Sequence, residues 1–328
     1  MSLFDENPNG QPEQEPSAPQ PANEQSAAAV PSIPLTGDPI SYAAMAPAHA
    51  FPTAPALPED LCISWSWAHF LVFILFGVAS QFAIAIVILG YFSTLQHVTA
   101  AQLQSLVTSN PKVIVGTNVL WFAMIMLFLY VTLSVLRGLP FWRSLGWTKL
   151  NSDPIAGKGK PWMYFLSGCG LAIFVAVASS QIKNTEHLPI QDLFQSRTGA
   201  LLLMAMAVFI APLVEETVFR GYLYPLFAGK FLALAKALGV APSSAIRFGT
   251  AAGIVLTGTL FGLLHGTQLG WNWRFVALLT LAGVIFTFAR AWTGTVLASF
   301  MLHLGYNSMI AATSIIATRG FTHLPPVH

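Results

Sequence analysis

Charge is what this sequence has least of. Asp, Glu, Lys and Arg together make up 9% of its 328 residues, against 55% hydrophobic residues, and the mean hydropathy is +0.64. A soluble globular domain carries about 25% charged residues, so this composition excludes a surface that faces water all round. Lipid must be the solvent for much of the chain. A net charge of +2 and the lack of any Lys/Arg run exclude a nucleic-acid-binding surface. Only two cysteines occur, Cys62 and Cys169, far apart and without a Cys-x-x-Cys spacing. That leaves no disulfide framework and no thiolate metal site to expect.

Residues 1–60 lack Lys and Arg altogether and are rich in Pro, Gln, Ala, Ser and Glu. Such a segment buries too little apolar surface to offset its ordering entropy, so a disordered tail is expected. No basic segment followed by an apolar one occurs in it, so it does not read as a cleaved signal peptide. The first spanning helix is expected to do the targeting. Beyond the tail the chain divides into N-terminal transmembrane helices over 61–197, a core over 198–318 and a short C-terminal tail, 319–328.

What is present is a series of apolar runs long enough to cross about 30 Å of hydrocarbon. They cover Trp65–Phe92, Val113–Leu136, Pro161–Gln181, Thr198–Phe227, Phe248–Leu269, Arg274–Ala291 and Thr295–Thr318. The expected fold is therefore all-α, a polytopic bundle of seven to eight spans. Phe231–Val240 is short, with Lys230 before it and Lys236 inside it. It reads as an interfacial or re-entrant helix, or as part of an eighth span. Gln96–Ser109 reads as an amphipathic helix outside the hydrocarbon. Trp65, Trp67, Trp142, Trp147, Trp162, Trp271, Trp273 and Trp292 lie near span ends, as in an interfacial aromatic belt.

With the tail cytoplasmic, Arg137, Arg143, Lys149, Lys158 and Lys160 fall in one cytoplasmic loop, Lys230, Lys236 and Arg247 in a second, and Arg290 at a third. The other side then holds Lys112, Lys183, Arg197, Arg274 and Arg319. The positive-inside rule favours this orientation. The Pro/Gln/Ala-rich tail and short loops point to a bacterial protein, which would lie in the cytoplasmic (inner) membrane.

The informative residues are those that hydrocarbon penalises, since a charge at a helix centre costs about 2.5–3.5 kcal/mol on insertion scales. The fourth run nevertheless contains Glu215, Glu216 and Arg220 between the apolar stretches Leu201–Ile210 and Tyr222–Phe227. At about 100° per residue, Glu216 and Arg220 share a face, while Glu215 is turned about 140° from Arg220. Arg220 is thus expected to neutralise Glu216 and leave Glu215 free to bind water. Taken alone, the pair could equally be a packing device. The fifth run ends in Phe261-Gly-Leu-Leu-His265 and the seventh holds His303-Leu-Gly-Tyr-Asn307, with His303 and Asn307 on one face. A lone histidine is more often an ordinary polar residue, and a His/Asn pair can be interhelical glue. Together, however, these are the groups a hydrolytic site requires. Glu and His activate water, and Asn and neutral His donate to a developing oxyanion.

In order, Glu215-Glu216-x-x-x-Arg220, Phe261-x-x-x-His265 and His303-x-x-x-Asn307 resemble the three motifs of the CAAX protease and bacteriocin-processing (CPBP) family, which includes the CAAX prenyl endopeptidases. Gly221 and Thr293-Gly294-Thr295 also fit. The resemblance covers Gly199–Thr313, about a third of the chain, and no motif residue is missing. It implies an intramembrane endopeptidase acting on membrane-associated or lipid-modified peptide substrates. Glu215 would be the base, His265 its partner and His303 with Asn307 the oxyanion site, supported by Glu216 and Arg220. It implies no cofactor. Zinc held by Glu215, His265 and His303 is the nearest alternative, although no His-Glu-x-x-His occurs. A proton-coupled transporter without internal repeats, or a non-enzymatic membrane scaffold, are the readings from other classes.

Overall fold

The computed structural model describes residues 61, 63–95, 98, 99, 102, 106, 110–153, 157–182 and 196–322. The chain divides into two units, Met1–Pro52 and Thr53–His328, and every described residue lies in the second. The expected disordered tail, nearly all of the Gln96–Ser109 helix, Cys62 and Lys183 fall outside the described residues.

Seven helices are long and apolar enough to cross a membrane, and no strand occurs among the described residues. They are α1 (Trp67–Gly90), α2 (Pro111–Tyr130), α3 (Pro161–Ser180), α4 (Arg197–Ala237), α5 (Pro242–Leu264), α6 (Trp273–Thr293) and α7 (Val296–Ala317). Short π-helical turns extend α1 over Tyr91–Leu95 and α2 over Val131–Val135. The local sequence explains the ends. Asn110 accepts from the amides of Lys112 and Val113 ahead of α2, Ser196 from Gly199 at α4, Asn272 from Arg274 at α6 and Thr295 from Leu297 at α7. Proline opens α2, α3 and α5, where its missing N–H costs nothing. Gly294, at φ 76°, stops α6 in the left-handed conformation.

Burial follows a lipid logic. Leu71, Phe82, Ile86, Val87, Phe174 and Phe209 are exposed, whereas Glu216, Arg220, Thr287, Ser299 and His303 are buried. A spanning helix satisfies nearly all of its backbone polar groups within itself, so apolar side chains can face hydrocarbon while the few polar ones turn inward. The core joins Phe73, Phe128, Leu129 and Leu133 of α1 and α2 to Tyr222, Leu226, Phe261, Phe286, Leu302 and Tyr306.

Two expectations about spans are corrected. Phe231–Val240 is not a separate helix: α4 continues through it to Ala237, 41 residues in all. At 1.5 Å per residue that is about 60 Å, twice the hydrocarbon thickness. Its last part, Tyr224–Ala237, forms a hairpin with α5, where Gly249 and Gly253 admit the backbone at Ala228 and Leu232. The second correction is α5 itself, which starts at Pro242 rather than Phe248 and stops at Leu264 rather than Leu269. Gly258 packs on Val284 and Gly262 on Thr280 of α6. Ser243, Ser244 and Arg247 lower the hydropathy of the first turns of α5, so the apolar run begins after the helix does.

The aromatic belt is also smaller than expected. Trp67, Trp142, Trp162, Trp271, Trp273 and Trp292 are exposed, but Trp65 is buried and donates to the Tyr222 carbonyl at 3.2 Å. Trp147 is half-buried and donates to Thr217 Oγ1 at 3.1 Å. The loop after α2 is tied to the start of α7, since Val296 N–H donates to Gly146 O at 2.9 Å and the Thr295 hydroxyl to Thr148 O at 2.7 Å.

Candidate active site

The middle of α4 is not regular α-helix. Met206–Ile210 and Thr217–Leu223 are π-helical and bracket a short α-helical stretch, Ala211–Glu216, which ends in the two glutamates. Wider turns of this kind are frequent at functional sites.

The four-residue spacing of Glu216 and Arg220 gives the expected ion pair, with Arg220 Nη1 to Glu216 Oε1 at 2.9 Å and neither side chain exposed. Arg220 is held on its other edges as well. Nε donates to Thr287 Oγ1 at 3.2 Å and Nη2 to the Gly283 carbonyl at 2.8 Å, both on α6. The guanidinium also lies 4.7 Å from the Phe261 ring centroid, an attraction that desolvation strengthens.

Glu216 Oε1 has a second partner, Nδ1 of His303, at 2.9 Å. The carboxylate accepts, so Nδ1 carries the proton. Nε2 of His303 lies 3.2 Å from Asn307 Nδ2, which can only donate. In this network His303 is therefore an acceptor at Nε2, whereas the motif resemblance had it as an oxyanion donor. Its ring stacks on Phe286 at 4.7 Å, which fixes its plane.

Asn307 also donates to the Ala207 carbonyl, at 2.7 Å. The reason lies in α4. Ala211 N–H donates to Met206 O in the π register, and the next position, Pro212, has no N–H to offer Ala207. The Ala207 oxygen is thus left for a donor from α7. This contact also fixes the amide, because the flipped form would set oxygen against oxygen.

Glu215 stands between two imidazoles. Its Oε1 is 3.9 Å from His265 Nε2 and its Oε2 is 3.8 Å from His303 Nε2. Both separations exceed hydrogen-bond length, and of the two imidazoles only His265 has an Nε2 lone pair free for a water that also meets Glu215. The Glu215 side chain is 16% exposed, against 0% for Glu216, so only the first of the two adjacent glutamates reaches open space. His265 is the residue just after α5, and its Nδ1–H donates to the Phe261 carbonyl at 2.7 Å. That leaves the Nε2 lone pair facing Glu215. The Trp271 ring lies against Gly266, where a Cβ would sit 2.5 Å from it. That contact holds the turn that carries His265.

All six residues singled out from the sequence thus meet in one cluster. Residues that sequence reasoning did not find are Ala207 with Pro212, Gly283, Thr287 and Phe286. Pro212 was visible beside the glutamates, but nothing in one sequence links it to a residue 95 positions later. The three residues expected to hold zinc, if a metal is used, do come together. Ligands of one tetrahedral zinc lie about 3.3 Å apart, closer than these, and the Asn307 amide already takes the His303 Nε2 lone pair. Among the described residues no group of three His, Cys, Asp or Glu is arranged to hold a metal. As arranged, the donor set does not fit zinc.

Fold and site together define an integral membrane protein, with seven candidate spanning helices among the described residues and a buried acid, imidazole and amide cluster. Residues 197–309 match the family model described as type II CAAX prenyl endopeptidase Rce1-like, so this third of the chain is similar to a CAAX-type peptidase. No curated protein and no solved structure matches the chain.

Proposed function

We propose that this protein hydrolyses a peptide bond of a membrane-associated, lipid-modified substrate without a metal, using water activated by Glu215. The observation that carries the reading is the placement of Glu215, free of direct hydrogen bonds and facing Nε2 of both His265 and His303. A water bound between Glu215 and His265 gives its proton to the carboxylate, and the resulting hydroxide adds to the scissile carbonyl carbon. The carbonyl π electrons move to oxygen, and the oxyanion takes the Asn307 N–H that otherwise points to His303. Collapse of the tetrahedral intermediate breaks the C–N bond, and Glu215 passes its proton to the departing amine. Arg220 and the His303 Nδ1–H keep Glu216 ionised and unavailable, so the proton stays with Glu215.

The protein is placed by this reading in a bacterial inner membrane, its N-terminus cytoplasmic. The test uses the full chain in liposomes with a quenched fluorescent peptide ending in a farnesylated CAAX sequence. Glu215→Gln should lower kcat by at least about 10²-fold, the usual contribution of a general base. Wild-type protein stripped with a chelator and verified zinc-free should keep its rate. Cleavage by Glu215→Gln at the wild-type rate would sink the proposal, and loss of activity with zinc that returns on adding zinc would sink its metal-free part.

A further inference from the structure

The contact between Asn307 and Ala207 joins the last spanning helix to the backbone of α4, at a carbonyl that no α4 amide takes because position 212 is proline. In a run where Ala211 N–H has shifted to Met206 O, the next amide would continue the same register and donate to Ala207 O. Pro212 has no such amide, and its ring keeps the first turn of the following α-helical stretch in place. A carbonyl this deep in a bundle costs free energy if left without a donor. Asn307, half-buried on α7, supplies the donor at 2.7 Å.

An amide nitrogen has two hydrogens in a fixed plane. With one committed to Ala207, the other is aimed, and in the structure it points at His303 Nε2, 3.2 Å away and beside Glu215. We infer that Pro212 is a positioning residue. By leaving the Ala207 carbonyl open it locks the Asn307 amide in the one orientation that directs its second N–H toward the reacting carbonyl. The same proline lies three residues before Glu215, so base and oxyanion donor are set from one irregularity in one helix. This inference rests on the proposed role of Asn307 as oxyanion donor.

The consequence is specific to the backbone. Any residue other than proline restores an N–H at 212, which competes for Ala207 O and releases Asn307. Pro212→Ala, Pro212→Ser and Pro212→Leu should therefore behave alike despite their different side chains. Each should lower kcat on the farnesylated CAAX peptide by up to about 10²-fold, the scale of a catalytic group misplaced by about 1 Å, with KM within twofold of wild type. Their melting temperatures in detergent should not fall. Asn307→Ala should lose about 10²–10³-fold, as for one oxyanion donor, and adding Pro212→Ala to it should cost nothing more, because the group being positioned is gone.

Losses that follow side-chain size, or that add to the Asn307→Ala loss, would overturn the inference, as would wild-type rates in all three variants. Glu215→Gln, run in parallel, separates the two levels. If it is inactive while the Pro212 variants are unaffected, only the positioning role falls. If Glu215→Gln is fully active, the underlying peptidase reading falls with it.

Discussion

Arg220 carries its charge with no exposure to solvent, and all of its neutralisation comes from named neighbours: Glu216, Thr287, the Gly283 carbonyl and the Phe261 ring. Breaking a buried pair by removing one partner leaves the other charge stranded, which typically costs about 3–5 kcal/mol, whereas replacing both is often close to neutral. Arg220→Leu alone should therefore lower the melting temperature sharply, and the double variant Glu216→Gln/Arg220→Leu should regain most of it. Activity should not return with stability. In the double variant a neutral amide oxygen replaces the carboxylate that accepts the His303 Nδ1–H, so the tautomer that faces Glu215 with its Nε2 lone pair is held less strongly. Thermal melts and cleavage rates on the same samples check both halves. A double variant as active as wild type would mean that Glu216 and Arg220 serve folding alone. The adjacent glutamates thus differ in their contacts: Glu216 Oε1 is held by Arg220 and His303, whereas Glu215 stands 3.9 Å and 3.8 Å from its two imidazoles.

Helices reach the site by very close approach. A Cβ on Gly168 of α3 would lie 1.9 Å from Leu302 O, and one on Gly305 of α7 would lie 2.0 Å from Phe165 O. Both obstacles are backbone, so neither can be relieved by turning a side chain. Small residues at such crossings are how helices pack in lipid, where no hydrophobic force drives them together. The crossing fixes the height and rotation of α7, and with them His303 and Asn307. Gly305→Ala should cost about 1–3 kcal/mol, as overpacking does, and should lower kcat along with stability, because α7 must move. Gly170→Ala supplies the comparison. It sits on α3, two residues beyond Gly168, with nothing within 4 Å of the added Cβ, and alanine is the better helix former. Its melting temperature should hold or rise, at unchanged activity. Equal effects from the two substitutions would show that the crossing is not what sets the site.

At the scale of the molecule, the parts legible in the sequence were those that lipid dictates. Hydrocarbon demands about 20 apolar residues per crossing, so seven spans could be read directly, and it penalises charge, so Glu215, Glu216 and Arg220 stood out. What could not be read was set by packing or by backbone register. Trp65 looks like an interfacial residue by position but is drawn inward by the Tyr222 carbonyl. The two π-helical stretches of α4 leave no compositional mark, and Pro212 matters only through a partner on another helix. Orientation is the global property that remains to be tested. Lys and Arg at the span ends number nine on the proposed cytoplasmic side and five on the other. The loop after α2, the start of α7 and the end of α6 meet at one end of the bundle, where Lys158 lies 4.1 Å over the Trp292 ring. Arg137, Arg143 and Lys149 lie in the same loop after α2. Single-cysteine reporters on a background without Cys62 and Cys169 read this directly. Ser152→Cys lies in the basic loop and Gln268→Cys in the turn after α5, and both native side chains are exposed. In intact spheroplasts an impermeant maleimide should label Gln268→Cys and spare Ser152→Cys until the membrane is opened. The reverse pattern would put the tail outside and break the positive-inside rule for this chain.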